Sequence, residues 1–455
     1  FASTRGNTKN VAAIGYSGPQ RTPADPSKLN SNLYVLEDGK IRQLTFLLNQ
    51  ELSPSFMRDG RLIMTTEKRQ PGFYQLAGRR MNLDGGDYHP LFGQRATVGF
   101  NQFTDVVELA DKNLAAIMSD RGAAHGAGAL AVINRSIGID QTSQVPDDYL
   151  VSFAALDTIN PDFFQRSIRV IDPVASGKLT GTQGAYRSPS PLPDGKLLVS
   201  YAANVVALDS FSGNFDVHLV DPVSGAVSPL VTGASDELWP VAVYRRTPVE
   251  VFTSRFDEAN GATRVYDDSR KAYSRVTILD VGVLTSLLFQ NTRTGRTLGD
   301  MNAPISVWES LPPEPGVTSY SGPFITNDQF GQLYVRRQLL GDISAASDGS
   351  ADILLPGGAP VVLQAAVQLA GETDLTSHFQ REEMQFYPGE EAHQAFRRQF
   401  FNGICGGCHG SLSGLELDVA VNPDILTQAS SVEAVQDGPR DLSVPISDPA
   451  GPFEP

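Results

Sequence analysis

The sequence is poor in the residues on which several large function classes depend. Only two of its 455 residues are cysteine, two are tryptophan and six are histidine. Two cysteines cannot make a disulfide-stapled scaffold. With no second cysteine pair and no His-x-x-x-His run, they cannot complete a four-ligand zinc site either. Basic residues are outnumbered, 36 Lys and Arg against 51 Asp and Glu, for a net charge of −15. No basic stripe is left to neutralise phosphates, so nucleic acid is not an expected partner. No apolar run reaches the ~18 residues of a membrane-spanning helix. No Ser-His-Asp spacing, phosphate-cradling glycine loop or nicotinamide fingerprint stands out. The chain starts at Phe1 without a methionine and without a charged-then-apolar leader, so it reads as a processed mature form. A lipid anchor at the N-terminus stays open.

Turn chemistry is what the sequence has in quantity. With 42 Gly, 30 Pro and 19% charged residues, the composition points to short strands and many turns, and 41% hydrophobic residues suffice for ordinary cores. After a polar arm over residues 1–30, a unit recurs. Ser53-Pro54-Ser55 leads to Asp59-Gly60-Arg61-Leu62, and Ser188-Pro189-Ser190 leads to Asp194-Gly195-Lys196-Leu197 in the same frame. A partner strand recurs as Val170-Ile171-Asp172-Pro173 and Leu219-Val220-Asp221-Pro222, and Trp239-Pro240 marks another start. Weaker copies lie at Asp111–Met118, Asp148–Phe153 and Asn327–Val335. Each unit is apolar alternation, an Asp-Gly turn and a second β-rich strand. The separation of ~45–50 residues, or a multiple, is that of propeller blades. The expected fold is mainly β. Residues 31–332 form a β-propeller of six to eight blades, with seven the best match, followed by a small β module over 333–389.

The chemistry-bearing stretch is Cys405-Gly406-Gly407-Cys408-His409, which uses both cysteines of the chain. Cys-x-x-Cys-His is the attachment signature of a c-type haem. Thiols three residues apart reach the two vinyl groups on one porphyrin edge, and the following imidazole lies under the iron. A redox-active disulfide or half of a zinc site are the competing readings. A redox motif should open a helix after a strand. Here the motif closes a helix-like stretch from Glu390 to Ile404, with Phe396 and Phe400 one turn apart and Phe401 and Ile404 nearby. Residues 390–455 are therefore expected to be a small α-helical cytochrome c-type haem domain with an irregular tail. One covalent haem c is the expected cofactor, held by Cys405 and Cys408 with His409 as proximal iron ligand. After His409 the chain has no His, Met, Lys, Tyr or Cys. The distal ligand must then come from upstream, from another chain, or be absent. A helix over 390–404, turned back at Pro388-Gly389, would place His378 opposite the motif as distal ligand, with Met384 next and His393 on the helix itself.

The repeat residues resemble TolB-like propellers over roughly residues 30–300. Leu339-Leu340-Gly341-Asp342, Asp348-Gly349-Ser350, Ile353-Leu354-Leu355-Pro356, Pro360-Val361-Val362-Leu363 and Pro388-Gly389-Glu390 together resemble the region before a haem site in the hydrazine synthase α-subunit and related propeller–cytochrome proteins. That resemblance implies a propeller followed by a haem-bearing part, with haem attachment at Cys405 and Cys408 and His409 as the matching histidine. Two departures set a limit. In those relatives Pro-Gly-Glu lies only a few residues before the motif, and the synthase subunit carries two motifs where this chain has one. Hydrazine chemistry is not carried over. Two tryptophans are also too few for the tryptophan-rich quinoprotein dehydrogenases, another propeller–haem combination.

The function these readings imply is an exported, periplasmic or extracellular, single-haem electron-transfer protein rather than an enzyme. Its propeller would dock a redox partner or a larger haem-bearing assembly. The alternatives are a haem-dependent redox enzyme with an open iron, and a structural subunit of a multi-haem assembly. His89, His125 and His218 are scattered, and Asp84-Gly85-Gly86-Asp87 is a turn lacking the other ligands of a calcium loop.

Overall fold

The computed structural model describes residues 1–3, 30–92, 100–133, 168–245, 252, 263–289, 304–312, 323–367, 373–380 and 383–394. Over these the chain is mainly β, in several antiparallel sheets. Sheet A joins β1 (Ala2–Ser3), β2 (Asn32–Glu37) and β3 (Lys40–Gln43), so the start of the expected arm is an edge strand. Asp38 and Gly39, at φ 49° and 75°, close the β2–β3 hairpin, which needs two left-handed residues. Sheet B is the meander β4 (Glu51–Phe56), β5 (Leu62–Gln70), β6 (Phe73–Met81), β7 (His89–Phe92). Sheet C follows as β8 (Gln102–Glu108), β9 (Leu114–Ser119), β10 (Ala129–Ile133), β11 (Ile168–Val170). Sheet D is β12 (Ala185–Pro191), β13 (Leu197–Ala202), β14 (Asp216–Val220), β15 (Val227–Val231).

Sheets A to D stack in chain order, with an apolar layer at each junction. Leu33 and Leu44 meet Leu62, Met64 and Met81 between A and B. Ile63 of sheet B packs on Phe103, Val106, Ala116 and Met118 of sheet C, and Ile117, Leu130 and Val132 pack on Tyr186, Leu197 and Val199 of sheet D. The inner strands β5, β6, β9 and β10 are buried on both faces, as near-continuous apolar runs such as Leu114-Ala115-Ala116-Ile117-Met118 require.

The recurring motif is one local structure built three times. The first strand of each sheet carries a bulge, between Leu52 and Ser55, Thr104 and Val107, and Arg187 and Ser190. Each bulge holds a left-handed residue: Ser53 (φ 49°), Asp105 (φ 51°) and Ser188 (φ 50°). Six residues on, Asp59, Asp111 and Asp194 each accept the N–H two residues later, from Arg61 (3.0 Å), Asn113 (3.0 Å) and Lys196 (3.2 Å). Trp239 (φ 51°), also followed by proline, repeats the left-handed position after sheet D.

Two further sheets come from the rest of the described chain. Sheet E has the order β16 (Thr263–Val265), β25 (Glu390–Gln394), β17 (Tyr273–Ile278), β22 (Ala351–Pro356), with β17 and β25 parallel. Sheet F has the order β21 (Arg337–Ile343), β18 (Ile305–Ser310), β23 (Val361–Val367), β24 (Thr376–Phe379). The apolar helix α1 (Val281–Phe289), whose Val283 N–H is accepted by Asp280 Oδ1 at 3.0 Å, packs into their shared core through Val281, Leu284 and Phe289. The expected boundary at 332/333 runs through both sheets, because β17 and β18 find their partners beyond it. Asn327–Val335 is no blade copy. It contains the two-stranded hairpin β19 (Ile325–Asp328) and β20 (Gly331–Tyr334), pinned to sheet B by the Arg69–Asp328 pair at 2.7 and 2.8 Å.

The expected helix from Glu390 is also corrected: Glu390–Gln394 is a strand. Its burial alternates, with Glu390 and Ala392 inside. Its backbone fills the gap between β16 and β17, whose ladder groups need partners. The Asp148–Phe153 copy and residues 395–455, the bulk of the expected haem domain, lie outside the described residues.

Candidate functional site

The last described residue, Gln394, lies eleven positions before Cys405. Cys405, Cys408 and His409 lie outside the described residues, as do Phe396, Phe400, Phe401 and Ile404. The structure does describe the segment Glu383–Gln394 that leads towards them, and shows how it is held.

That segment alternates between two partners. Glu383 Oε2 accepts Leu48 N–H (3.3 Å), and Gln385 accepts Phe46 N–H (2.6 Å) while donating to the Leu44 carbonyl (3.1 Å). Met384 exchanges both backbone bonds with Val361 (2.7 and 2.8 Å), and Phe386 enters the core of sheets E and F. One strand-like stretch thus binds the Leu44–Leu48 loop on one side and sheet F on the other. Tyr387 then covers Gly85, where a Cβ would stand 2.1 Å from the ring, and its hydroxyl accepts from Arg42 (3.2 Å).

Glu390 closes the joint. Its Oε1 accepts Asp87 N–H (3.0 Å) and the Thr263 hydroxyl (2.6 Å), and its Oε2 accepts Tyr387 N–H (2.7 Å). Burial pushes its carboxyl up to about 7 against those three bonds. Asp87 is pushed up to about 6 by burial, opposed by Arg80, which lies 3.1 Å away. Arg61 (4.0 Å) and His89 (3.7 Å) complete its surroundings. The Asp84–Asp87 turn is therefore a docking platform for residues 387–390. Asp84 spends Oδ1 on Gly86 N–H (3.0 Å) and its carbonyl on Arg42 (2.9 Å).

His378 lies on β24, the edge strand of sheet F, half-buried, with Nε2 at 2.5 Å from the Thr376 hydroxyl. Met384 packs against the core cluster. His393, on β25, pairs with Thr277 of β17. The expected helix at 390–394 that would set His378 opposite the motif is instead a strand. His125 lies edge-on to Phe211 and His218 edge-on to Tyr201. Among the described residues, no three His, Cys, Asp or Glu side chains gather as a metal site. No described helix is long and apolar enough to cross a membrane.

Asp105 escapes sequence reasoning. Its Oδ1 accepts the Ser53 hydroxyl (2.9 Å) and its Oδ2 the Ser188 N–H (3.1 Å), so the bulge residue of sheet C ties those of sheets B and D. Asp105-Val106-Val107 stands where the other copies have Ser-Pro-Ser. The six-residue interval to Asp111 is the signal that could have found it.

These features define a protein of stacked antiparallel sheets with a C-terminal segment locked into them. No family model matches the chain, and no curated protein matches it. Among solved structures it is similar to Kuenenia stuttgartiensis hydrazine synthase, with a TM-score of 0.54 and 14% identity over 87% of this chain. The match spans 48% of the hydrazine synthase chain, so this chain corresponds to about half its length. At that identity the likeness is one of fold.

Proposed function

We propose that this chain is an exported single-haem c-type cytochrome that transfers electrons, with its sheet array as the platform for a redox partner or a larger haem-bearing assembly. The observation that carries the proposal is Cys405-Gly406-Gly407-Cys408-His409, which holds the chain's only cysteines at vinyl spacing with an imidazole next to them. That donor set fits a covalent haem: Cys405 and Cys408 would hold the porphyrin, and His409 would be the proximal ligand. The bound haem would supply one-electron transfer. The chain's described part supplies a rigid anchor, since Glu383, Gln385, Tyr387 and Glu390 fasten the segment leading to the motif. Covalent haem attachment is completed outside the cytoplasmic membrane, hence a periplasmic or extracellular location.

The stacked sheets are read as part of a β-propeller of six to eight blades. Their support is the threefold recurrence of bulge and Asp turn, together with the fold likeness to hydrazine synthase. The decisive experiment concerns the haem. Denatured protein should keep its colour and carry one haem-sized mass addition, and Cys405→Ala with Cys408→Ala should abolish both. A colourless chain with a 405–408 disulfide ends the proposal.

For the iron's sixth position we assign His378, with Met384 second. His378 lies half-buried on the edge strand of sheet F, whereas Met384, packed against the core cluster, would have to leave it. The alternative is an open iron, a redox enzyme's arrangement. It is favoured by the packed Met384 and by the lack of His, Met, Lys, Tyr or Cys after His409. His378→Ala should convert a low-spin spectrum to high-spin and let ferrous protein bind carbon monoxide. Free carbon monoxide binding by the unmodified protein would establish the open iron instead.

A further inference from the structure

A second site lies far from the haem motif in sequence, where Asn30-Ser31-Asn32 runs beside Asn49-Gln50-Glu51. Ser31 and Gln50 form a parallel bridge, sealed by Ser31 N–H to the Asn49 carbonyl (3.1 Å) and Glu51 N–H to the Ser31 carbonyl (3.0 Å). In such a bridge the paired residues share one side, and the residues flanking both share the other. Asn30, Asn32, Asn49 and Glu51 therefore issue from one side. They are 1%, 0%, 2% and 0% exposed.

Each of these four side chains ends in a buried oxygen without a hydrogen-bond partner: Oδ1 of the three asparagines and Oε2 of Glu51. The amide orientations of Asn32 and Asn49 follow from their other ends, while neither amide atom of Asn30 has a partner. Asn32 Nδ2 donates to the Leu47 carbonyl (3.0 Å), and Asn49 Nδ2 to Thr66 Oγ1 (3.2 Å) and the Glu67 carbonyl (2.8 Å). The oxygens must then be the unpartnered ends. Glu51 Oε1 is occupied by the hydroxyls of Tyr88 (2.5 Å) and Thr66 (2.9 Å), which leaves Oε2. Buried acceptors without partners are costly, and four together on one side of a bridge ask for a positive charge.

We propose that Asn30, Asn32, Asn49 and Glu51 form a calcium site. Three amide oxygens and one carboxylate oxygen are hard ligands of the kind Ca²⁺ takes, and Ca²⁺ tolerates irregular coordination completed by backbone carbonyls or water. Mg²⁺ fits less well, because it keeps several waters and this cradle is closed to solvent. The charged groups around it are Glu67 and Arg79, the latter set back over the Tyr88 ring at 4.4 Å, with Lys68 further along the same face of β5.

The test is calcium titration of the full chain after EGTA treatment, read by calorimetry and thermal melting at pH 8. One Ca²⁺ per chain should bind with a rise in melting temperature. Glu51→Gln should weaken binding by at least ~10-fold, because it removes the only charged ligand. Asn30→Asp adds a carboxylate where neither amide atom has a partner, and should tighten binding by roughly 5-fold or more. An unchanged dissociation constant in Asn30→Asp overturns the assignment even if Glu51→Gln fails to fold. A calcium effect undiminished in Glu51→Gln, a response to Mg²⁺ or Na⁺ alone, or no response beyond buried water also overturns it.

Discussion

At Asp105 one carboxylate spans two sheet junctions, accepting from Ser53 of sheet B and from Ser188 N–H of sheet D. Hydrogen bonds to a charged acceptor contribute about 1.5–3 kcal/mol each. Asp105→Ala should therefore lower stability by about 3–6 kcal/mol in urea unfolding. Asp105→Asn, which still offers one carbonyl oxygen, should cost about half of that. A loss below ~0.5 kcal/mol for the alanine variant would show that neither bond bears on the junctions. The neighbouring turn offers a check of opposite sign. Lys112 (φ 71°) occupies the place of Gly60 and Gly195 (both 88°), where a side chain strains the backbone. Lys112→Gly should raise stability by about 0.5–1 kcal/mol after the greater freedom of glycine in the unfolded chain is allowed for. Two of the three repeat copies were legible because Ser-Pro and Asp-Gly announce themselves. The third was faint because Asp105-Val106 stands where the others have Ser-Pro, and Lys112 stands where they have the turn glycine. The asparagine cradle left no sequence signal at all, since its halves lie nineteen residues apart and meet through a single bridge.

Among the elements, the segment from Glu383 to Gln394 shows where local reading fails. Glu390-Glu391-Ala392-His393-Gln394 contains good helix formers, and the aromatic spacing at 396 and 400 extended that pattern backwards. The strand forms instead because β17 and β16 leave ladder groups open on either side of it, and pairing outweighs propensities of a few tenths of a kcal/mol per residue. Nothing near 390 in the sequence reports on an open edge made by residues 263–278. The Pro-Gly-Glu signature was legible, and its reason is now visible. Gly389 (φ 83°) turns the chain where a Cβ would meet the Tyr266 carbonyl at 2.4 Å, and Glu390 binds back onto residues 87 and 263. Gly85→Ala tests the joint from the other side. Its Cβ would enter the Tyr387 ring, and φ 109° disfavours any side chain. The variant should lose more than ~2 kcal/mol of stability. It should also become susceptible to proteolysis near 383–390, whereas an equally stable and resistant variant would mean that Tyr387 does not secure the segment.

For the whole molecule, the buried carboxyls set the direction in which stability changes with pH. Burial raises Glu51 and Glu390 to about 7 and Asp87 to about 6, from ordinary values of 4.5 and 3.8. Hydrogen bonds and Arg79 or Arg80 oppose the rise, while Glu67, Asp84 and Asp87 add to it. The folded state thus binds these protons more tightly than the unfolded chain does. Each group contributes stability that is full below its unfolded value and is lost as pH climbs through its folded value. Asp328 acts the other way. Despite burial, the Arg69 pair and the N–H groups of Gly72 and Phe330 hold it below 3.8, so its contribution is present above that value and is lost as pH falls. Self-repulsion of a chain with net charge −15 adds to the loss on the alkaline side. The calcium-free protein should therefore melt highest near pH 5 and progressively lower towards pH 8. Glu390→Gln should flatten part of that decline by removing one titration, and calcium should offset another part by holding Glu51 ionised without penalty. Thermal melts from pH 4 to 8, with EGTA and with calcium, separate the two. A melting temperature that rises steadily from pH 5 to 8 in EGTA would contradict the burial of all three carboxyls.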